Sequence, residues 1–205
     1  MVVNTIQEEA INTLLIPIEE LPPGSLGAIR RQVTENLIQM VATQLKVSPD
    51  TLVARDIQPQ VDLDWNSNTD FAGAEVTTEI WNTTTHATYT GFQKMIKTTT
   101  NTMGDQRWVA IYGIRDWRPC FAATVTPAIS LLKVIVGNSV KAIWDTTKLA
   151  TYRMNPVGIS PSVVIIPQNT QYQFEGYIID AAGGTAVWIG LEGVVVEPRG
   201  KVISP

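Results

Sequence analysis

The densest run of oxygen-bearing side chains is Asp62-Leu63-Asp64-Trp65-Asn66-Ser67-Asn68-Thr69-Asp70, with Glu75 five residues further on. Counted from Asp64, acid or amide groups fall at positions 1, 3, 5 and 7 (Asp64, Asn66, Asn68, Asp70), and Glu75 falls at position 12. That is the oxygen-ligand spacing of a calcium loop, in which a hard cation is wrapped by carboxylates and carbonyls. Two departures count against it. Thr69 stands at the sixth position, where glycine makes the sharp turn, and the chain from Val76 onward reads as a strand rather than an exiting helix. They favour a polar connector, with Asn and Asp side chains bonding nearby backbone. No cofactor is expected, apart from calcium should this loop close.

Other chemistry has little to stand on. The single histidine, His86, sits in Thr83-Thr84-Thr85-His86-Ala87, with no nucleophile-elbow or metalloprotease pattern around it. The single cysteine, Cys120, lies between Pro119 and Phe121 and reads as a small buried residue. Gly24, Gly27, Gly183 and Gly184 precede no phosphate-holding lysine and form no dinucleotide fingerprint. An enzyme would therefore need a constellation drawn from distant residues, such as His86 with Asp62 or Asp64, and the expectation is a protein without catalytic residues. Six tryptophans, at 65, 81, 108, 117, 144 and 188, could stack on sugars, but large rings more often fill cores and interfaces. Trp188 alternates with Val187 and Ile189, so it faces away from their side, toward a neighbouring subunit or a second buried layer. Asn82-Thr83-Thr84 matches a glycan acceptor, read as incidental in a chain with no visible secretory signal.

These residues need a scaffold, and 205 residues with 44% hydrophobic composition are enough to bury one. The formal charge of −4 is uneven: residues 1–80 carry twelve acids and four bases, residues 81–205 seven and eleven. The bases of the second part are dispersed, which argues against direct nucleic-acid binding. No apolar run reaches the length of a membrane span, so neither a membrane nor a secretory route is expected.

Thr5 and Glu8 make a capping box for a helix over residues 6–15, with Ile6, Ala10 and Leu14 at four-residue steps until Pro17 and Pro22-Pro23-Gly24 intervene. Ser25 then caps a clearer helix. Its apolar residues Leu26, Ile29, Val33, Leu37, Met40, Val41 and Leu45 recur every three or four positions, a stripe that must be buried against the sandwich or a second chain. Ser48-Pro49-Asp50 predicts a third short helix to Arg55. Beyond residue 76 the chain turns threonine-rich, with eleven between 77 and 102. Strands are predicted over 108–114, 121–125, 131–136, 139–144, 163–166, 171–179 and 185–196. Gly137-Asn138, Pro167-Gln168-Asn169 and Gly183-Gly184 make the turns. Two strands alternate a dry and a wet face: Tyr172, Phe174 and Ile178 against Gln171, Gln173 and Glu175, and Val187, Ile189, Leu191 and Val195 against Glu192 and the glycines. The fold class is mainly β, an antiparallel β-sandwich or jelly roll preceded by a short helical N-terminal region. Residues 1–60 form the helical arm, 61–75 the connector and 76–205 the sandwich domain.

The stretch from Pro127-Ala128-Ile129-Ser130-Leu131-Leu132-Lys133-Val134 through Trp188-Ile189-Gly190-Leu191-Glu192-Gly193-Val194-Val195-Val196-Glu197-Pro198 resembles β-sandwich virion proteins of tailed bacteriophages. The resemblance covers residues 75–198. It lies in short β-branched strands, threonine-rich connections, scarce cysteine and histidine, and a helical arm before the sandwich. It implies a capsid decoration, cement or minor head protein, present in many copies in the virion after assembly in a host cytoplasm, with no catalytic residues. The residues themselves point toward a self-associating or docking protein, a dimer or trimer, with Leu26, Ile29, Val33, Leu37, Met40, Val41, Leu45 and Trp188 as candidate interface residues; that the docking partner is a capsid protein lattice is what the resemblance implies. A carbohydrate- or receptor-binding module using exposed Trp188, Trp117 or Trp65 is the alternative.

Overall fold

The computed structural model describes residues 14–63, 80–82, 91–94, 101–116, 129–147, 149, 156–178 and 186–201. Eleven strands and two α-helices lie among them. The strands are β1 (Ile16–Pro17), β2 (Leu52–Asp56), β3 (Ile80–Asn82), β4 (Gly91–Lys94), β5 (Asn101–Thr102), β6 (Trp108–Asp116), β7 (Ile129–Val136), β8 (Ser139–Asp145), β9 (Val157–Ile166), β10 (Gln171–Ile178) and β11 (Ala186–Pro198). The helices are α1 (Ser25–Leu45) and α2 (Pro59–Asp62). All pairings are antiparallel. One sheet runs β1-β9-β6-β11-β2, with β3 pairing the start of β11; the other runs β4-β10-β7-β8, with β5 also on β10.

The two sheets face each other across one core, and α1 covers the outer face of the first sheet. Leu132, Val134, Ala142, Trp144, Tyr172 and Phe174 of the second sheet meet Val109, Ile111, Val164, Ile166, Leu191 and Val195 of the first. On the opposite face Val33, Leu37, Val41 and Ala42 of α1 lie on Trp108, Ala110, Tyr112, Ile159, Val194 and Val196. The mainly β sandwich is thus as expected, with a third, helical layer added. Burial on both sides makes β6 and β11 nearly continuous apolar runs, the pattern that a doubly covered strand requires.

Two glycines set the phase of these runs. The pairing of β6 with β9 shifts register between Ile111 and Gly113, and that of β11 with β6 shifts between Glu192 and Gly193. A Cβ on Gly113 would lie 2.5 Å from the Gly158 carbonyl oxygen, and one on Gly193 would lie 2.7 Å from that of Ala110. Backbone cannot step aside for a methyl group, so only glycine allows these bulges to close.

Several local expectations change. The chain at Leu14 and Leu15 is not helical, and Ile16–Pro17 pairs with Ile159 and Gly158, because β9 offers open backbone groups there. The rest of the expected 6–15 helix lies outside the described residues. Ser48-Pro49-Asp50 starts only a single 3-10 turn, Pro49–Thr51, after which Leu52–Asp56 extends and pairs with β11. Leu52 and Ala54 then face α1 while Arg55 faces the other way, an alternation that a helix could not give. Residues 14–60 therefore contribute two strands to the first sheet as well as helix α1. Gly24, at φ 84°, is the N-cap of α1, one residue earlier than expected, and the Ser25 hydroxyl donates to the Pro22 carbonyl at 2.6 Å. β11 does not alternate dry with wet: Val194 and Val196 are as buried as Val195, because α1 occupies the face expected to be solvated. Gly137-Asn138 and Pro167-Gln168-Asn169 do make turns, with Gly137 at φ 61° and Asn169 at φ 55°.

Candidate functional site

The proposed calcium ligands Asp64, Asn66, Asn68, Asp70 and Glu75 lie outside the described residues, as do His86, Cys120, Trp65 and Trp117. Trp188 falls in β11 opposite Ile80 in register, but its side chain is outside the description. Trp108 and Trp144 are fully buried. The Trp108 Nε1 donates to Gln44 Oε1 at 2.9 Å, and the Trp144 Nε1 donates to Ser160 Oγ at 3.2 Å. Neither ring offers a stacking face. The seven helical residues proposed as interface are taken up by the chain's own sheet: Val33, Leu37 and Val41 are buried, and Leu26, Ile29, Met40 and Leu45 pack partly buried around them. Of the two resting places expected for this stripe, the sandwich is the one observed. Among the described residues no group of three or more His, Cys, Asp or Glu could hold a metal ion.

The strongest electrostatic feature is a four-membered ion cluster at one end of the first sheet. Arg55 on β2, Glu197 on β11 and Arg107, one residue before β6, are drawn together by strand pairing, and Asp62 at the end of α2 closes over them. Arg55 grips Asp62 with both terminal nitrogens, at 2.8 and 2.6 Å, and its Nε reaches Glu197 at 3.3 Å. Arg107 Nε donates to the other Glu197 oxygen at 3.1 Å, and the Gln58 backbone N–H donates to Asp62 Oδ2 at 2.7 Å. Both carboxylates are almost completely buried. The hydrogen bond to Asp62 raises the Arg55 pKa above its ordinary value, against the opposing effect of burial. Two cations neutralise two anions, and each carboxylate oxygen already accepts a bond. Asp62 is thus committed to arginine and is unavailable to orient a histidine, so the cluster acts as a clamp.

A groove of about 440 Å³ opens between the start of α1, the ends of β2 and β6 and the middle of β11. Two ion pairs flank it, Arg30–Asp56 at 2.7 Å and Arg115–Glu192 at 2.7 Å, the first largely exposed and so of little energetic weight. Tyr112 lines its floor. Burial, and then the nearby Glu192 and Asp56 charges, push the phenol up to about 12. It stays a neutral hydrogen-bond donor at physiological pH and is no base or nucleophile. In the unfolded chain the same phenol ionises near 10, so between about pH 10 and 12 the unfolded state has lost a proton that the folded state keeps. Stability from this group is whole below pH 10 and falls as pH rises through that window, by an amount of order 2 kcal/mol. Urea titrations at pH 8 and pH 11 check this: Tyr112→Phe should lose less stability between the two than wild type, and equal losses would show that Tyr112 does not contribute.

A second, apolar groove of about 210 Å³ runs between α1 and β9, lined by Val33, Asn36, Leu37, Met40, Ala110, Val163 and Ile165. β1 pairs with β9 at Gly158 and Ile159, and no described strand pairs with residues 164–166 on the side away from β6. Between Ile159 and Val164 the register with β6 also jumps, so residues 160–163 bulge out of that ladder. Val163 and Ile165 are 40% and 36% exposed on the α1 side. Sequence periodicity locates residues 163–166 as a strand but does not show that it lies near the margin of its sheet. The cue was Ser160-Pro161-Ser162, since proline cannot donate to a ladder and belongs at edges and bulges.

Searches for similar proteins found no matching family model, no matching curated protein and no matching solved structure, so the reading of this chain rests on its own residues.

Proposed function

We propose that the chain is a non-enzymatic structural protein of a virion, associated with the capsid as a decoration, cement or minor head protein, and that it works through self-association and docking on a protein lattice. The observation that carries this reading is the pair of exposed apolar side chains Val163 and Ile165 beside the α1–β9 groove. Exposed valine and isoleucine beside an apolar groove suit contact with another polypeptide, and they have no reagent to offer a small substrate. The described charges agree with it: Asp62, Glu197, Arg55 and Arg107 stabilise the fold, and Tyr112 is held neutral. The carbohydrate-binding alternative gains nothing from Trp108 and Trp144, whose rings are buried.

Virus-sized particles purified from the culture that makes the chain are the material for the test. Quantitative mass spectrometry across a density gradient should find the chain banding with the major shell protein at a fixed ratio. Recovery of the chain only from the soluble fractions would end this reading.

A further inference from the structure

We propose that the groove floored by Tyr112 binds a free α-amino acid with an apolar side chain, whose carboxylate accepts from the Tyr112 hydroxyl and an arginine and whose ammonium donates to Glu192. The groove shares no lining residue with the one beside Val163 and Ile165, so this site stands or falls separately from the virion reading.

Sheet register puts Tyr112 there. Ile111 pairs with Gly193 and Gly113 with Glu192, so Tyr112 is the extra residue of the β6 bulge and has no partner across that ladder. Trp108, Ala110 and Tyr112 face α1, whereas Ile114, beyond the bulge, lies in the core between the sheets. The Tyr112 side chain is only 2% exposed, yet among the described residues its hydroxyl makes no hydrogen bond. A buried hydroxyl left without a partner is destabilising, and native proteins rarely keep one that neither water nor a ligand meets.

Charge and shape select the ligand. After burial itself, the charges that act on the phenol are Glu192, Asp56, Arg30 and Arg115, so its oxygen lies among the charged side chains that line the groove. These four sum to zero, and a lone anion or cation meets one repulsion for each attraction. Their bonds are nevertheless incomplete. Arg115 Nε and Nη2 both donate to Glu192 Oε1, at 2.8 and 2.7 Å, and Arg30 spends only Nη2 on Asp56. Among the described residues no further bond reaches Glu192 Oε2, Arg115 Nη1, or Arg30 Nε and Nη1. A negative acceptor, positive donors and a phenol donor therefore face one space, and Leu26, Ile57 and Leu191 give it an apolar wall. The complement is an ammonium, a carboxylate and an apolar side chain on one small molecule. A volume of about 440 Å³ admits an aromatic side chain as well as an aliphatic one.

Isothermal titration calorimetry of the full chain with phenylalanine and leucine tests this. Each should bind saturably with a dissociation constant below about 1 mM. N-acetylphenylalanine, which lacks the ammonium, and phenylalaninamide, which lacks the carboxylate, should bind at least about tenfold more weakly than phenylalanine. Tyr112→Phe and Glu192→Gln should each weaken phenylalanine by at least about tenfold. Tyr112→Phe should also leave the melting temperature of the ligand-free chain unchanged or higher, because it removes a hydroxyl that has no partner. Three results would overturn the proposal. The first is no saturable binding of either amino acid up to about 10 mM. The second is a derivative that binds as tightly as phenylalanine. The third is a Tyr112→Phe variant that melts lower and binds as wild type does, which would mean that an ordered water or another part of the chain already serves the hydroxyl.

Discussion

Replacing Asp62 with alanine is expected to lower the unfolding free energy by about 3–5 kcal/mol, because it leaves Arg55 and Arg107 to share the single carboxylate of Glu197 in a largely buried site. For a chain of this size that is a fall of roughly 10 °C in melting temperature. The loss has two parts. The bidentate bond from Arg55 disappears, and the Gln58 N–H that caps Asp62 is left without its acceptor. Denaturant titration of the variant gives the magnitude, and a change under about 1 kcal/mol would mean that water or rearrangement compensates for the carboxylate. Raising salt to about 0.5 M should leave the difference between wild type and variant nearly intact, since buried pairs are screened far less than exposed ones. By the same logic, losing Asp56 from the exposed pair with Arg30 should cost well under 1 kcal/mol.

The second large effect is expected in the helical layer. Leu37 is 2% exposed and Val33 8%, both pressed onto the outer face of the first sheet. Leu37→Ala alone should cost about 2–5 kcal/mol through lost contact and the void left behind. Val33→Asp combined with Leu37→Asp puts two carboxylates where no described cation faces them, and the desolvation cost exceeds the stability of an ordinary domain. The double variant should show no cooperative thermal transition by circular dichroism. A variant that melts like wild type would mean that α1 is dispensable to the fold and that its stripe is free to contact something else. Gln39→Glu, on the exposed side of the same helix, should change stability by no more than about 0.5 kcal/mol.

The contrast between these two sites marks what the sequence could say. The stripe of α1 was readable because burial imposes a 3.6-residue period that survives whatever partner the helix finds. Alternation likewise placed β10, where Tyr172 and Phe174 are buried while Gln171 is exposed. β11 misled because alternation reports burial on one face only, and Val194, Val195 and Val196 in succession are the mark of a strand covered on both. The ion cluster was invisible for another reason. Arg55, Asp62, Arg107 and Glu197 are spread over more than 140 positions and meet only through strand register. Asp62 stands at the head of the polar run, outside the calcium spacing that starts at Asp64, and local sequence offers it only a distant histidine as partner. Leu52–Asp56 shows the same limit at short range: a proline at the first turn predicts a helix start, and tertiary pairing with β11 ended it after one turn.

The pairing of β2 with β11 also dictates when the protein can fold. Arg55 and Glu197 are 142 residues apart, and the strands that carry them are adjacent in the sheet. At ribosomal speeds of about 5–20 residues per second, β2 waits on the order of ten seconds after its synthesis before its partner exists. During that interval α1 has no complete sheet beneath it, so its apolar stripe is exposed to other nascent chains and to chaperones. Completion of the first sheet is then gated by closure of a long loop rather than by helix formation.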